Sequence, residues 1–428
     1  LVTEFYPPDT GSTGEYMADI AERLQERGLD MTVLTAQPHY HSGDHERLAR
    51  LTERGGVPVR RVPVPMLRAT STILYAYDWL AFTIGAFLTL ILARPKKERE
   101  LIFVSPPPTL PIGLWVLCRI KGWEYTYLVY SPYPDSLIQL GFIRGRGIIA
   151  KVWKWFNRRV YSDAHHVVTI GTQLRDLILD EAGNGFDEEK ITVIDLWEDE
   201  EFLAPKPKAE NWFSQEHDLV DDFTVLYSGN IGVMHDLKTL VRAATEFTDE
   251  DVQFLIIGEG TEKRSIKRLA EELGLTEDTL KFLPYQPFDD LPYSLTSGDV
   301  SVVTKKENMP EVSCKVYTSL AVGGPVLVIA PSDSDEARIV ETHDAGVQCE
   351  PGDVEGVIKA VQAWVSNPQL VDEQGANARS AFLEHFTREA GIANHYRLLV
   401  GGNENLTRIR ESKSRESTVP GDANKKND

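Results

Sequence analysis

Short uninterrupted apolar runs recur along the chain in two series. In the first half they read MTVLTA (31–36), LIFVS (101–105), YTYLVYS (125–131) and HHVVTIG (165–171). In the second they read FTVLYSG (223–229), VQFLIIGEG (252–260), LKFLPY (280–285), DVSVVT (299–304) and PVLVIA (325–330). Between them lie segments with helical spacing, such as GEYMADIAERLQERG (14–28). Runs this short, apolar throughout and alternating with amphipathic helices predict parallel strands covered on both faces. Two such series predict an α/β protein of two Rossmann-like, doubly wound domains.

The pattern weakens between 201 and 220, where Pro205, Pro207 and many polar residues predict a linker. The expected organisation is a first domain over 1–200 and a second over 221–385. A helix at 386–400 is expected to pack back on the first domain, before a tail at 401–428 whose low apolar content predicts disorder. At 428 residues both domains have room for sizeable cores. The chain opens on Leu1, an opening consistent with a natural start further upstream.

Composition narrows the function classes. The net charge of -20 argues against a nucleic-acid binder with a basic surface. Cys118, Cys314 and Cys349 are too far apart for a disulfide framework or a zinc pattern and fit a reducing compartment. No signal-peptide pattern stands at the start. The longest apolar run, 79–93, is shorter than the ~20 residues of a spanning helix, so a buried or interfacial helix is expected.

Four turns carry candidate chemistry. Gly229, Asn230 and Gly232 follow one strand and precede a helix; Gly258 and Gly260 do the same after the next, with Lys263 on the helix beyond. Gly11 and Gly14 are expected in a loop ahead of the first helix. Lys315 and Thr318 fall on a helix that ends at Gly323 and Gly324. Glycine lets a ligand approach the backbone, and a helix N-terminus offers free N–H groups to an anion such as phosphate. Each turn alone is weak and could be a plain strand-to-helix connection. The order required for dinucleotide oxidoreduction, a G-x-G-x-x-G turn followed by an acid, is missing.

Taken in order, the segments YPPDTGSTGEYM, TAQPHY, SPPPTLP, YPDSLIQLG, YSGNIG, IIGEGTEK and SCKVYTSLAVGGPV resemble the retaining glycosyltransferases of the GT-B fold, family 4. The nearest subgroup builds surface polysaccharide and lipid-linked oligosaccharide, and the resemblance covers roughly residues 1 to 400. It implies two domains facing a cleft, an acceptor-binding N-terminal one and a nucleotide-sugar-binding C-terminal one. It implies transfer of a sugar from a nucleotide diphosphate sugar, UDP or GDP, to a saccharide or polyprenyl-linked acceptor, without cofactor or metal. On the donor side it assigns Gly14, Gly229, Asn230, Gly258, Gly260, Lys263, Glu311, Ser313 and Thr318. Lys315 would neutralise the leaving phosphate. Ser131 and Asp135 fall in the catalytic segment, and Thr13, His39 and Tyr40 on the acceptor side.

The sequence also departs from the family. Where a pair of glutamates is usual, it holds Pro310 and Thr318, with Glu311 one residue off. Ser131 stands for the usual Asp or His, Ser12 for a glycine, and Asp195-Leu196 for Pro-Asn. Asn230 and Asp236 occupy the places of an Arg and Lys pair. These changes motivate a second reading, a catalytically impaired protein of the same fold that partners an active transferase at a membrane. A sugar-nucleotide epimerase of the same fold is a third.

One stretch runs against the acidic whole. Residues 136–162 contain Arg144, Arg146, Lys151, Lys154, Arg158 and Arg159, interleaved with Trp153, Trp155 and Phe156, and no acid. Cations beside tryptophans suit an anionic bilayer surface. An ordinary helix with solvated charges is the competing reading. The expectation is a cytoplasmic protein, peripheral at the inner face of the cell membrane, docked through 144–159.

Overall fold

The computed structural model describes residues 1–9, 12–38, 48–63, 72–93, 99–139, 141–248, 251–306 and 309–401. Gly11, His39, Tyr40 and the 402–428 part of the expected tail lie outside the described residues. The chain forms two compact units: Leu1–Thr169 with Ile178–Ile194 and the residues from Ile392, and Ile170–Leu177 with Asp195–Gly391.

In the first unit the elements run α1 (Ser12–Glu26), β1 (Val33–Thr35), β2 (Leu51–Arg54), β3 (Val57–Arg61), α2 (Thr72–Ile91), β4 (Glu100–Val104), α3 (Leu110–Lys121) and β5 (Glu124–Val129). Then come α4 (Asp135–Gln139), α5 (Ile148–Asp163), β6 (His166–Thr169), α6 (Thr172–Ala182), whose first turns belong to the second unit, and β7 (Ile191–Val193). Strands β4, β5, β6 and β7 pair in parallel, and β1 pairs with β3. Val2 bridges both β1 and β4, joining the two sheets around the start of the chain. Among the described strands only β2 is antiparallel, hairpinned to β3. The order β3-β1-Val2-β4-β5-β6-β7 is that of a doubly wound dinucleotide-binding sheet.

The second unit has α7 (Trp212–Glu216), β8 (Phe223–Ser228), α8 (Leu237–Ala243), β9 (Val252–Ile257), α9 (Lys263–Glu272), β10 (Leu280–Leu283), α10 (Leu291–Leu295) and β11 (Val300–Thr304). It continues with α11 (Lys315–Val322), β12 (Val326–Ile329), α12 (Asp335–Thr342), β13 (Gly346–Cys349), α13 (Val354–Ser366), α14 (Pro368–His385) and the start of α15 (Arg388–Gly401), which belongs to the first unit from Ile392. All six strands are parallel in the order β10-β9-β8-β11-β12-β13. The winding reverses between β8 and β11, so ligands are expected beyond the carboxyl ends of these two strands. Every residue of β9, β11 and β12 is buried, as apolar runs sandwiched by helices require. One core cluster holds Tyr227, Leu240, Phe254 and Trp364, and truncating a ring such as Phe254 to Ala would cost ~3–5 kcal/mol.

Two expectations change. The segment 201–220 is no open linker. Asn211 caps α7 by accepting from the Phe213 N–H and donates to the Tyr293 carbonyl, and the Phe213 ring is fully buried. Lys208 reaches Asp299 at 2.6 Å. Helix α2 is longer than the apolar run that announced it. Its Leu74–Ile91 window is long and apolar enough to cross a membrane, with a mean hydropathy of 1.5, and only 28% of that window is buried.

Candidate functional site

The glycine turns after β8 and β9 are laced into one structure. The Gly229 N–H donates to the Ile257 carbonyl at 2.9 Å, and the Ile231 N–H to the Glu259 carbonyl at 2.8 Å. Gly258 has φ +149°, and a Cβ there would collide with the Gly229 carbonyl oxygen. A side chain at 258 would therefore force the two turns apart. Gly260 lies under the Ile231 carbonyl, and Asn230 is exposed at the rim. Lys263 is not a solvated helix charge. It donates to the Gly258 carbonyl at 2.7 Å and pairs with Glu259 at 2.6 Å, which ties α9 to the turn.

Lys315 opens α11 and lies directly over Gly229. A Cβ at 229 would strike the Lys315 Cε and stand 3.0 Å from its Nζ, so glycine is the residue that makes room for this side chain. The ammonium sits 5.7 Å from the Tyr227 ring centroid. Among the described residues it has neither a hydrogen bond nor an ion pair. Burial lowers its pKa from the ordinary lysine value, against the opposing pull of Cys314 and Glu336. A cation with no described partner, over a glycine turn that a ligand can approach closely, is a candidate anion site.

His235, which the sequence reading passed over, lies close enough to feel the Lys315 charge. Its Nδ1 is 2.9 Å from the Thr304 carbonyl, so Nδ1–H donates and Nε2 keeps its lone pair. Burial, then the Lys315 charge, pushes its pKa down to about 4. It is neutral at neutral pH. Asp236, assigned to a family cation's place, turns away: its Oδ2 accepts from the Thr239 hydroxyl at 2.5 Å and from the Gly352 N–H at 3.2 Å.

The loop between β11 and α11 is held by a buried ion pair. Lys305 and Glu336 meet at 2.8 Å with side-chain exposures of 6% and 0%. Lys305 also donates to the Glu311 carbonyl at 3.2 Å, while Glu336 accepts from the Ser313 N–H at 2.6 Å. The backbone at Glu311 and Ser313 is thus held by two charges 31 residues apart in sequence. The Thr318 hydroxyl donates to the Lys315 carbonyl one turn back, at 3.0 Å. Asp335 accepts from the Thr172 and Gln173 N–H groups and caps the start of α6.

In the first unit, Thr13 and Gly14 lie in the first turn of α1, not in the expected loop before it. Gly14 is buried there, its Cα packed toward Tyr6 and Asp9. The Ser131 N–H donates to the Ser105 hydroxyl at 2.9 Å. Asp135, the first residue of α4, pairs with Lys154 of α5 at 2.7 Å. Lys154 also stands 4.0 Å from Glu181, whose pKa burial raises to about 7 in spite of that cation. Asp135 is therefore the near end of an internal Asp135–Lys154–Glu181 chain, and Lys154 is removed from the basic surface the sequence offered. Among the described residues no three His, Cys, Asp or Glu side chains gather as a metal site would require.

Helix α3 lies between α2 and α5, and all three expose apolar side chains. They are Leu80, Ile84 and Leu88 on α2, Val116 and Ile120 on α3, and Ile148, Ile149, Val152 and Trp155 on α5. Arg144, Arg146 and Lys151 are exposed beside them.

Two doubly wound units, the second with a candidate anion site at its switch point, are the architecture of the GT-B fold. The comparisons with known proteins agree. The pattern of the glycosyl transferases group 1 matches residues 208–381, and that of the glycosyl transferase 4-like domain matches residues 11–197. The chain belongs to this family of glycosyltransferases. It is 26% identical over 373 residues to the "Putative colanic acid biosynthesis glycosyl transferase WcaI" of Escherichia coli, covering 85% of this chain and 91% of the relative. Among solved structures, the sucrose-phosphate synthase of Thermosynechococcus elongatus superposes with a TM-score of 0.74 at 16% identity, covering 96% of this chain and 98% of that one. Anabaena HepE in complex with UDP and glucose superposes with 0.69 at 15% identity, covering 94% and 98%.

Proposed function

We propose that this glycosyltransferase moves a sugar from a nucleotide diphosphate sugar, UDP or GDP, to a saccharide or lipid-linked acceptor in surface-glycan assembly, with retention at the anomeric carbon and without a metal. The observation that carries the donor assignment is the unpaired Lys315 ammonium lying on Gly229. The laced turns around Gly229 and Gly258 offer backbone close approach to the diphosphate, and Lys315 supplies fixed positive charge where negative charge develops as the glycosidic bond to phosphate breaks. A preorganised cation of this kind does the work Mg²⁺ does elsewhere. Neutral His235 adds a lone pair beside Lys315 rather than a second charge. In the family's reaction scheme the acceptor attacks the face the leaving group departs from, and a leaving phosphate oxygen takes the acceptor's proton. No protein base is then required, which makes the presence of Ser131 compatible with turnover.

The acceptor is proposed to be reached at a membrane surface. Exposed apolar side chains on α2, α3 and α5 beside Arg144, Arg146 and Lys151 support docking on anionic lipid at the cytoplasmic face. Function is tested by incubating the protein with UDP- and GDP-sugars, polyprenyl-linked and soluble acceptors, and EDTA. The expected result is a product with the donor's anomeric configuration, formed in EDTA. Transfer that stops in EDTA and returns with Mg²⁺ would overturn the metal-free reading. A protein that binds no nucleotide would instead be a partner of an active transferase.

A further inference from the structure

The second unit has an open cavity besides the Gly229 cradle. Its volume is about 550 Å³, and it is lined by Asp236, Lys238, Thr239, Arg242, Lys306, Pro351, Gly352 and Val354. Lys238 and Arg242 stand on α8, Lys306 follows β11, and Pro351 to Val354 lead into α13. Three cations therefore face one space in a chain whose net charge is -20.

None of the three is neutralised by a described residue. Among the described residues, the Lys238, Arg242 and Lys306 side chains make no hydrogen bond and no ion pair. The one carboxylate in the lining, Asp236, is already engaged by the Thr239 hydroxyl and the Gly352 N–H. Asp353, next to the lining, accepts from the Gly356 N–H of its own helix, and Glu350 from the Ser332 N–H. Glu262 lines a much smaller recess alongside, shared with Lys238 and Lys306, and pairs with neither. Like charges converging on one cavity repel each other, and an anion in that cavity relieves the repulsion.

The cavity and the donor cradle are built from the same two loops. His235 faces Thr304 and Lys315, and the next residue, Asp236, faces Gly352. Lys305 reaches inward to Glu336, and the next residue, Lys306, lines the cavity. The two loops are joined by the Lys306 N–H donating to the Met234 carbonyl at 3.0 Å. The two spaces thus adjoin along this pair of loops, and the small recess lined by Ile231, Gly232 and His235 is also lined by Lys238 and Lys306.

We propose that this cavity is a second anion site, distinct from the donor cradle, which takes a small multiply charged phosphate compound of the diphosphate class. The lining carries three cations and one carboxylate, Asp236, so a singly charged anion leaves positive charge unbalanced and a multiply charged phosphate does not. The volume, within the ~300–1,000 Å³ usual for small-molecule sites, also admits an uncharged group against Pro351 and Val354.

The test is isothermal titration of the full chain with inorganic pyrophosphate. Wild type should bind at two sites. Lys238→Ser/Arg242→Ser/Lys306→Ser should lose one of them, with affinity there falling at least tenfold, and should still bind the nucleotide diphosphate. Lys315→Met should lose the other. All three cavity cations are exposed, so the triple variant should keep its melting temperature, and the single reversal Lys306→Glu gives the same loss with less change. Unchanged pyrophosphate stoichiometry and affinity in the triple variant would overturn the second site and leave the donor reading standing. Loss in the triple variant with no effect of Lys315→Met would do the reverse.

Discussion

Replacing Lys315 by Met keeps the length of the side chain over Gly229 and removes only its charge. Two effects of opposite sign follow. Folded, the ammonium has no described partner and its pKa is lowered by burial, so at neutral pH the native state carries the charge at a cost that the unfolded chain does not. The Met variant is therefore at least as stable as wild type, with an equal or slightly higher Tm. Catalysis moves the other way. A cation ~4 Å from a phosphate oxygen is worth ~4 kcal/mol at an effective dielectric constant of ~20. Removing one preorganised donor to a developing anion typically lowers kcat ~100- to 1,000-fold. The assay is initial-rate transfer from radiolabelled nucleotide sugar, beside thermal melting. A fall in kcat of about 100-fold with an unchanged melt is the expected outcome. Equal turnover would refute the assignment. A raised KM at constant kcat would refute the leaving-group role and leave Lys315 as a binder of the donor's ground state.

Two further outcomes follow from the first unit. Glu181 has its pKa raised to about 7 from the ordinary 4.5, so between these values the folded state holds a proton that the unfolded chain has released. Its contribution to stability therefore falls as pH rises through that window, and Glu181→Gln should melt progressively higher than wild type from pH 4.5 to 7, by up to ~3 kcal/mol above it; parallel melting curves across this range would contradict a buried carboxyl. Arg144→Glu/Arg146→Glu/Lys151→Glu removes three exposed, unpaired cations worth ~1 kcal/mol each at an anionic surface, so liposome binding should fall ~100-fold or more while transfer to a soluble acceptor is unchanged. Undiminished co-sedimentation of this variant would remove the electrostatic part of the docking proposal.

What could be read from the sequence was set by burial. Strands β8, β9, β11 and β12 are covered on both faces, and each was visible as an unbroken apolar run. Val2 is a single bridging residue, and β7 is only three residues long. The edge strand β13 is half-exposed, with Gln348 between its apolar positions, and β2 is almost wholly exposed. None of these offers a hydrophobic period to detect. Segment 201–220 misled because proline and polar content describe composition, whereas Asn211 followed by an aromatic pair was the local sign of a capped, packed turn. The glycines of the donor turns were legible, since few other residues tolerate that geometry. The Lys305–Glu336 pair was not, because only the fold brings its members together.

Lysine is where sequence reading is weakest, because one residue type serves three physical roles here. Lys154, Lys263 and Lys305 are each bound to a carboxylate and hold the framework in shape. Lys151 faces solvent from an amphipathic helix. Lys315 and Lys306 face recesses without a described partner. Consecutive positions 305 and 306 show that neighbours in sequence can fall into different groups: one is 6% exposed against Glu336, and the other lines an open cavity. What separates the roles is whether a carboxylate has already neutralised the charge. A cation so paired has much of its field cancelled at short range, and removing it leaves its buried partner unbalanced, so its loss reads out as stability. An unpaired cation in a recess keeps its field for whatever anion enters, so its loss reads out as binding or turnover with the melt unchanged. Lys305→Met should therefore lower Tm where Lys315→Met does not. Equal melting of the two variants would mean that the pairing seen around Glu336 contributes nothing to the loop that positions Glu311 and Ser313.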